Sequence, residues 1–322
     1  MNLIKCGMRR RLLGKFGSMN KRILITGATG FVGKTLIPYL HNNGVENVAL
    51  LVRNEEKAHR LFGDIDLRII SLQNGSWKDE VKKFNAEIVI HLAAFFSTKY
   101  DDATAVNLVN SNLLFTTELL VALQDTDCKY FVNTGTFTEF LYGDGKYFPA
   151  NLYSATKTAE RSIIQYFTNL SGRRWINIIL YSPYGRKNDY KKVIDYMVDA
   201  MSAKEQVAFS KGEQVLDFIH VDDIADFYLN LLQKIDLLNN PFEEFHLGTG
   251  EGHSIREVAQ IMEDVFGKKI NANWGGLPYR KFDIMHAIAP VKKNKDVLGW
   301  MAKIDMRSGM KIFKADLGLN KN

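Results

Sequence analysis

The chain has 322 residues, of which 46% are hydrophobic and 24% charged: enough for one large domain or two cooperating ones, and too apolar for a disordered protein. Two cysteines, Cys6 and Cys128, and no Cys/His cluster at ligand spacing exclude a disulfide framework and a zinc site; no metal is expected, and a reducing, cytoplasmic setting fits. Five of the net +6 charges come from Lys5, Arg9, Arg10, Arg11 and Lys15, so the rest is close to neutral and nucleic acid is not the expected partner.

Residues 1–18 hold no apolar run long enough for a signal-peptide core or a membrane span and read as a basic, disordered extension. Elsewhere the longest apolar stretches are strand-sized, so the chain is expected to be neither secreted nor membrane-bound. "KRILITGATGFVGKTLIPYLHNNG" then sets the apolar run Ile23 to Ile25 before Gly27, Gly30 and Gly33, followed by a helical pattern that stops at Asn43-Gly44. Strand, glycine turn and helix predict a dinucleotide site. The glycines let the backbone approach a pyrophosphate, and the free amides at the helix start favour its charge.

A second strand, "NVALLV", is followed by Arg53-Asn54 with no acid before Glu55. An acid there would take the adenosine ribose hydroxyls of NAD, whereas Arg53 can pair with a 2′-phosphate; NADP is expected in preference to NAD, unless Arg53 is a solvated loop cation. "AEIVIHLAAFFST" reads as the third strand. It ends in small residues, where bulk would block the cofactor at the carboxyl ends of parallel strands. Asn112 then lies inside the apolar helix pattern "VNLVNSNLLFTTELLVALQ", where a buried amide needs partners, in a structural role or in the site.

"KYFVNTGT" is the next parallel strand, and Asn151 is placed to cap a helix running to Phe167. On that helix Tyr153 and Lys157, four apart, share a face. A second Tyr-x-x-x-Lys, Tyr142 to Lys146, spans two glycines and is not expected to be helical. A phenol of pKa near ~10 is a poor acid–base group at neutral pH, but a nearby ammonium lowers that value. Tyr153 is therefore expected to exchange a proton with a sugar oxygen that the Thr134 hydroxyl holds, while Lys157 also reaches the nicotinamide ribose. Further on, His220, Asp222 and Asp223 read as a strand end with an Asp cap rather than a metal site. Trp274 and Tyr279 either stack on a base or pack. "SIREVAQIMEDVFG" reads as the last helix, in the core of a smaller lobe.

Together with Gly27-Ala28-Thr29-Gly30-Phe31-Val32-Gly33, His91-Leu92-Ala93-Ala94 and Tyr153-x-x-x-Lys157, the segments "ILYSPYGRKND", "GEQVLDFIHVDD", "FHLGTGEGHS" and "WGGLPYRKFDIM" resemble the extended short-chain dehydrogenases of the NAD-dependent epimerase/dehydratase family. The resemblance covers residues 20 to 315 and is nearest to the 4-keto-6-deoxysugar reductases of the CDP-abequose synthase type. It implies that Tyr153 and Lys157 are the acid–base pair, with Thr134 as the hydroxyl, Thr136 as its fallback and Asn112 as the helix asparagine. It also implies cofactor contacts from Gly27, Thr29, Gly30, Phe31, Val32, Arg53, Leu92, Ala93 and Ala94, and substrate contacts from Ser97, Thr134 and Arg280, whose guanidinium suits a diphosphate. Leu216 stands where many relatives carry an arginine; Arg186 or Lys187 are candidates to compensate. Gly135-Thr136 replaces the acidic pair that a dehydratase needs.

The expected architecture is α/β: a doubly wound parallel sheet of the Rossmann type over residues 19–182, to which 217–240 returns, and a smaller, interleaved α/β substrate lobe from 183–216 and 241–322. By the same resemblance, the helices after residues 105 and 151 pair two subunits into a homodimer. The expected activity is NADP-dependent reduction of a nucleotide-diphosphate 4-keto-6-deoxyhexose, in the setting of polysaccharide synthesis. The alternatives are a 4-epimerase with tightly held dinucleotide and a non-catalytic dinucleotide sensor.

Overall fold

The computed structural model describes residues 20–319 except 100, 144, 188 and 189; the extension 1–18 lies outside the described residues. Six strands, β1 (Ile23–Thr26), β2 (Val48–Val52), β3 (Arg68–Ser71), β4 (Ile88–His91), β5 (Tyr130–Thr136) and β6 (Arg174–Leu180), pair in parallel in the order β3-β2-β1-β4-β5-β6. A seventh, Phe242–Leu247, adds in parallel beside β6. Every residue of β1, β2 and β4 is buried, because helices cover both faces of the sheet.

On one face α1 (Phe31–Asn42), α2 (Glu55–Phe62) and the helix Val221–Lys234 close a core that includes Ile25, Leu36, Leu50, Phe62, Val132 and Phe227. On the other, α3 (Trp77–Phe84), α5 (Phe115–Ala122) and α6 (Leu152–Ser171) pack over Leu24, Val89 and Phe131. α4 (Asp102–Val109) runs into α5 through a π turn at Asn110–Leu114. Chain order along the sheet reverses between β1 and β4. That reversal opens a crevice at their carboxyl ends.

A second core joins Met197, Phe209, Phe218, Met262, Met310 and Phe313, contributed by the helices Val193–Ala200, Ile255–Phe266 and Met306–Asp316 and by short strands between them. Three expectations need correction. β3, "RIIS", is a strand that sequence patterning passed over, since Arg68 and Ser71 make a sheet strand look like a loop. The segment Phe242–Leu247 belongs to the large sheet, not the smaller lobe: Phe245 and Leu247 are buried beside the helix Val221–Lys234, and Leu298 and Trp300 join them. The helix Ile255–Phe266 is not the last, because Lys292–Leu298 and Met306–Asp316 follow it.

Candidate active site

The glycine turn is shaped by close approach. Gly27 has φ +70°, and a Cβ there would lie 2.5 Å from the Ala93 nitrogen at the end of β4. A Cβ on Gly33 would fall on the Ala28 backbone, so α1 packs against the turn at glycine distance. Gly30 is exposed and caps α1 without a side chain, which leaves the first amides of Phe31 and Val32 free to face an anion. Thr29 is half-buried on the same turn. Leu92 and Ala93 are half-buried and Ala94 exposed in the loop leaving β4, beside the turn. Arg53, just past β2, is exposed and has no partner among the described residues.

Asn151 caps α6, its side chain accepting the Ser154 amide at 2.9 Å while Ser154 Oγ accepts from Asn151 N. The helix runs to Ser171 and puts Tyr153 and Lys157 on one face. The Tyr153 ring meets Phe96 edge-on at 4.8 Å. Lys157 is fully buried, and its ammonium is bonded to Glu160 one turn further on. The expected lowering of the phenol by Lys157 is not what this arrangement gives. Burial first, then the carboxylates of Glu139 and Glu160, push Tyr153 above the ordinary tyrosine range.

The strand-end threonines divide. Thr134 lies 2.6 Å from the Tyr228 hydroxyl, which comes from the helix across the sheet from α6. Thr136 is the last residue of β5, with its hydroxyl 3.0 Å from that of Thr138 and its amide donated to Glu139 at 2.9 Å. Glu139 is buried and reaches Thr158 of α6 at 3.4 Å, so Thr136 is tied to the helix that bears Tyr153. The Gly135-Thr136 step leaves no acid at the strand end itself, and Glu139 is used up in this capping.

Asn112 lies in the π turn, fully buried; its amide accepts from Phe95 N at 2.8 Å and donates to Phe95 O at 3.1 Å and to Thr156 Oγ1 at 2.9 Å. It locks the loop after β4 onto α6. Ser97 is buried in that loop and accepts from Lys99 N. Arg280 is exposed on the smaller lobe, where its backbone N–H donates to Asp283 at 3.0 Å. Trp274 packs between Phe209 and Arg256, and Tyr279 bonds Glu213; both are used in packing the lobe. Arg186 makes two bonds to Asp222 and an ion pair with Asp316, which removes it as a stand-in for the arginine missing at Leu216. His220, not an Asp, caps the helix Val221–Lys234 through Nδ1, and Asp223 accepts from Lys303 and Ile304 amides. Tyr142 sits in a turn, and Gly143 and Gly145 both have positive φ.

Sequence reading missed Glu160, His91, Thr26 and Thr116, which meet beneath Lys157. The available signal was spacing: Glu160 falls three residues after Lys157 and seven after Tyr153, on the same buried face of α6.

The model of the "NAD dependent epimerase/dehydratase family" matches residues 23–248. A CDP-abequose synthase of Salmonella typhimurium is 26% identical over 300 residues, covering 91% of this chain and 97% of that protein. A UDP-glucose 4-epimerase of Pisum sativum is 25% identical over 329 residues, covering 88% and 92%. Among solved structures, a UDP-glucuronic acid 4-epimerase from Bacillus cereus in complex with UDP-glucuronic acid and NAD superposes with a TM-score of 0.80 at 18% identity, covering 92% of this chain and 99% of that one.

Proposed function

The chain belongs to the NAD dependent epimerase/dehydratase family, and we propose that it reduces a nucleotide-diphosphate 4-keto-6-deoxyhexose to the 4-hydroxy sugar. The observation that carries this reading is the shared face of α6 that bears Tyr153 and Lys157, to which Asn112 and, through Glu139, Thr136 are tied. The similarity to CDP-abequose synthases over nine-tenths of the chain supports the same substrate class.

The residues present fit a dinucleotide: the space at Gly27 and Gly33 that a Cβ would fill, and the uncapped start of α1, suit a pyrophosphate. Gly27, Thr29, Gly30, Phe31 and Val32 would line it, with Leu92, Ala93 and Ala94 beside them and Lys157 near the ribose. Exposed, unpaired Arg53 favours NADP over NAD through the 2′-phosphate. A nicotinamide dinucleotide held there would supply the hydride. Tyr153 delivers the proton to the C4 oxygen, and Thr136 is assigned as the hydroxyl that holds this oxygen, since Glu139 ties it to the helix that bears Tyr153 whereas Thr134 is bonded to Tyr228 from the helix on the other face of the sheet. Asn112 fixes the loop after β4 against α6, while Ser97 and Arg280 are assigned to the substrate, Arg280 to its diphosphate. Val106, Val109, Leu114 and Val121 on the 102–122 helix and Tyr166 and Leu170 on α6 are exposed apolar residues that we assign to a homodimer contact.

Purified protein with NADPH and a panel of CDP-, dTDP- and GDP-linked 4-keto-6-deoxysugars should oxidise the cofactor with at least one of them. No oxidation with any sugar sinks the reductase reading. Isomerisation of a 4-hydroxy sugar without added cofactor would put a 4-epimerase in its place.

A further inference from the structure

Starting from Lys157 on the face of α6 that bears Tyr153, five buried polar side chains and one backbone amide form a connected chain. Glu160 is fully buried, and one of its oxygens receives the Lys157 ammonium. The other lies 2.7 Å from Thr116 Oγ1 and 3.2 Å from His91 Nε2. His91, also fully buried at the end of β4, has its Nδ1 2.8 Å from Thr26 Oγ1, and Thr26 Oγ1 accepts from the Ala93 amide at 3.2 Å. The Glu160 carboxylate can only accept, so the proton between them sits on His91 Nε2; in the neutral ring Nδ1 is then the acceptor, and Thr26, which accepts from the Ala93 amide, donates its own proton to Nδ1. Ala93 is the residue whose nitrogen a Cβ on Gly27 would strike, so the far end of the chain is the wall of the glycine turn.

We propose that Glu160 is a positioning residue: it pins the Lys157 ammonium under Tyr153 and, through His91 and Thr26, registers that ammonium against the turn that would carry the dinucleotide. This deepens the reading of Tyr153 and Lys157 as the acid–base pair and rests on it. A buried ammonium needs a counter-charge, and a buried carboxylate needs donors; each is satisfied by the other and by groups anchored to β1 and β4 rather than by water. Burial opposes ionisation of Glu160, yet Lys157 and then His91 hold its carboxyl below the usual range. The other ionisable groups facing this cluster are Glu139, from the turn after β5, and Arg161, the next residue of α6, whose charge is taken by Glu244 of the seventh strand. Neither can replace Glu160. Arg161 has the wrong sign, and Glu139 is committed to Thr136.

Glu160→Gln keeps the shape and removes the charge. The charge state of Lys157 is read without any substrate from its ε-carbon signal in carbon-13 lysine-labelled full-length protein, the signal being assigned by its loss in Lys157→Arg. In Glu160→Gln this signal should change to that of a neutral amine at a pH at least about one unit lower than in the unmodified chain. Glu160→Asp, whose carboxylate is one methylene shorter, should move it in the same direction by less, and serves if the Gln variant does not fold. Superimposable titrations in the unmodified and substituted chains would overturn the assignment. Because no turnover is needed, that result stands apart from any failure of the reductase reading. Where reduction is seen, the pH above which kcat declines should fall with the lysine signal; a drop in kcat with an unmoved pH profile would mark Glu160 as merely structural.

Discussion

The two lobes treat their polar residues in opposite ways. Under the crevice of the large sheet, Lys157, Glu160, His91, Thr26, Asn112 and Thr116 are buried and bonded to one another. On the smaller lobe the candidate diphosphate ligand Arg280 is exposed, while Trp274 and Tyr279 pack against their own lobe. On the proposed assignment the acid–base groups are preorganised before substrate arrives, and substrate choice falls to solvated loop residues that are ordered on binding. One lobe should respond to substitution in kcat, the other in KM.

The largest effect is expected at Tyr153. Tyr153→Phe should lower kcat by roughly 10²–10⁴-fold, the usual worth of a general acid, with NADPH affinity by fluorescence titration unchanged. A variant retaining a tenth of the activity would break the contrast at its centre. The threonines sharpen it next. Thr136→Val should cost about 10² in kcat as the loss of one oxyanion donor, whereas Thr134→Val, which parts only from Tyr228, should cost less than about tenfold. The reverse order in steady-state kinetics would return the catalytic hydroxyl to Thr134. Arg280→Ala should raise KM for the sugar nucleotide between about tenfold and a hundredfold, with kcat within a few-fold; a matching fall in kcat would mean that the smaller lobe takes part in the chemistry.

The smallest change is in stability and tests whether burial in the large lobe has a cost. Burial pushes the Glu139 carboxyl up to about 7, against the Thr136 amide, which lowers it. A folded-state value above the ordinary 4.5 means that the fold holds this proton more tightly than the unfolded chain does. That contribution is fully present below 4.5 and is lost as pH rises through about 7. Glu139→Gln keeps an acceptor for Thr136 and removes the titration. Urea unfolding across this range should show the unmodified chain losing stability relative to the variant, by an amount on the order of 1–3 kcal/mol. Parallel pH profiles would show that Glu139 is relieved by groups other than those described.

What could be read from sequence follows the same divide. Gly27 and Gly33 were legible because close backbone approach admits one residue type, and Tyr153 with Lys157 because helical spacing fixes their common face. Glu160 was not, since a glutamate after a lysine in a helix looks like a solvated pair until β4 is laid against it. Thr134 and Thr136 alternate onto one side of β5, and only the partners Tyr228 and Glu139, 94 and 3 residues away, separate them. Phe242–Leu247 was misplaced because Glu243, Glu244 and His246 interrupt its apolar residues; its pairing with β6 is a long-range fact.

The central claim, net reduction by hydride transfer to C4, is tested most directly by isotope transfer. With NADPH deuterated at the transferable position and a 4-keto-6-deoxy sugar nucleotide that the chain turns over, mass spectrometry and NMR should find one deuterium at C4 of the sugar per cofactor oxidised. Product formed without deuterium at C4, or without consumption of cofactor, would contradict it.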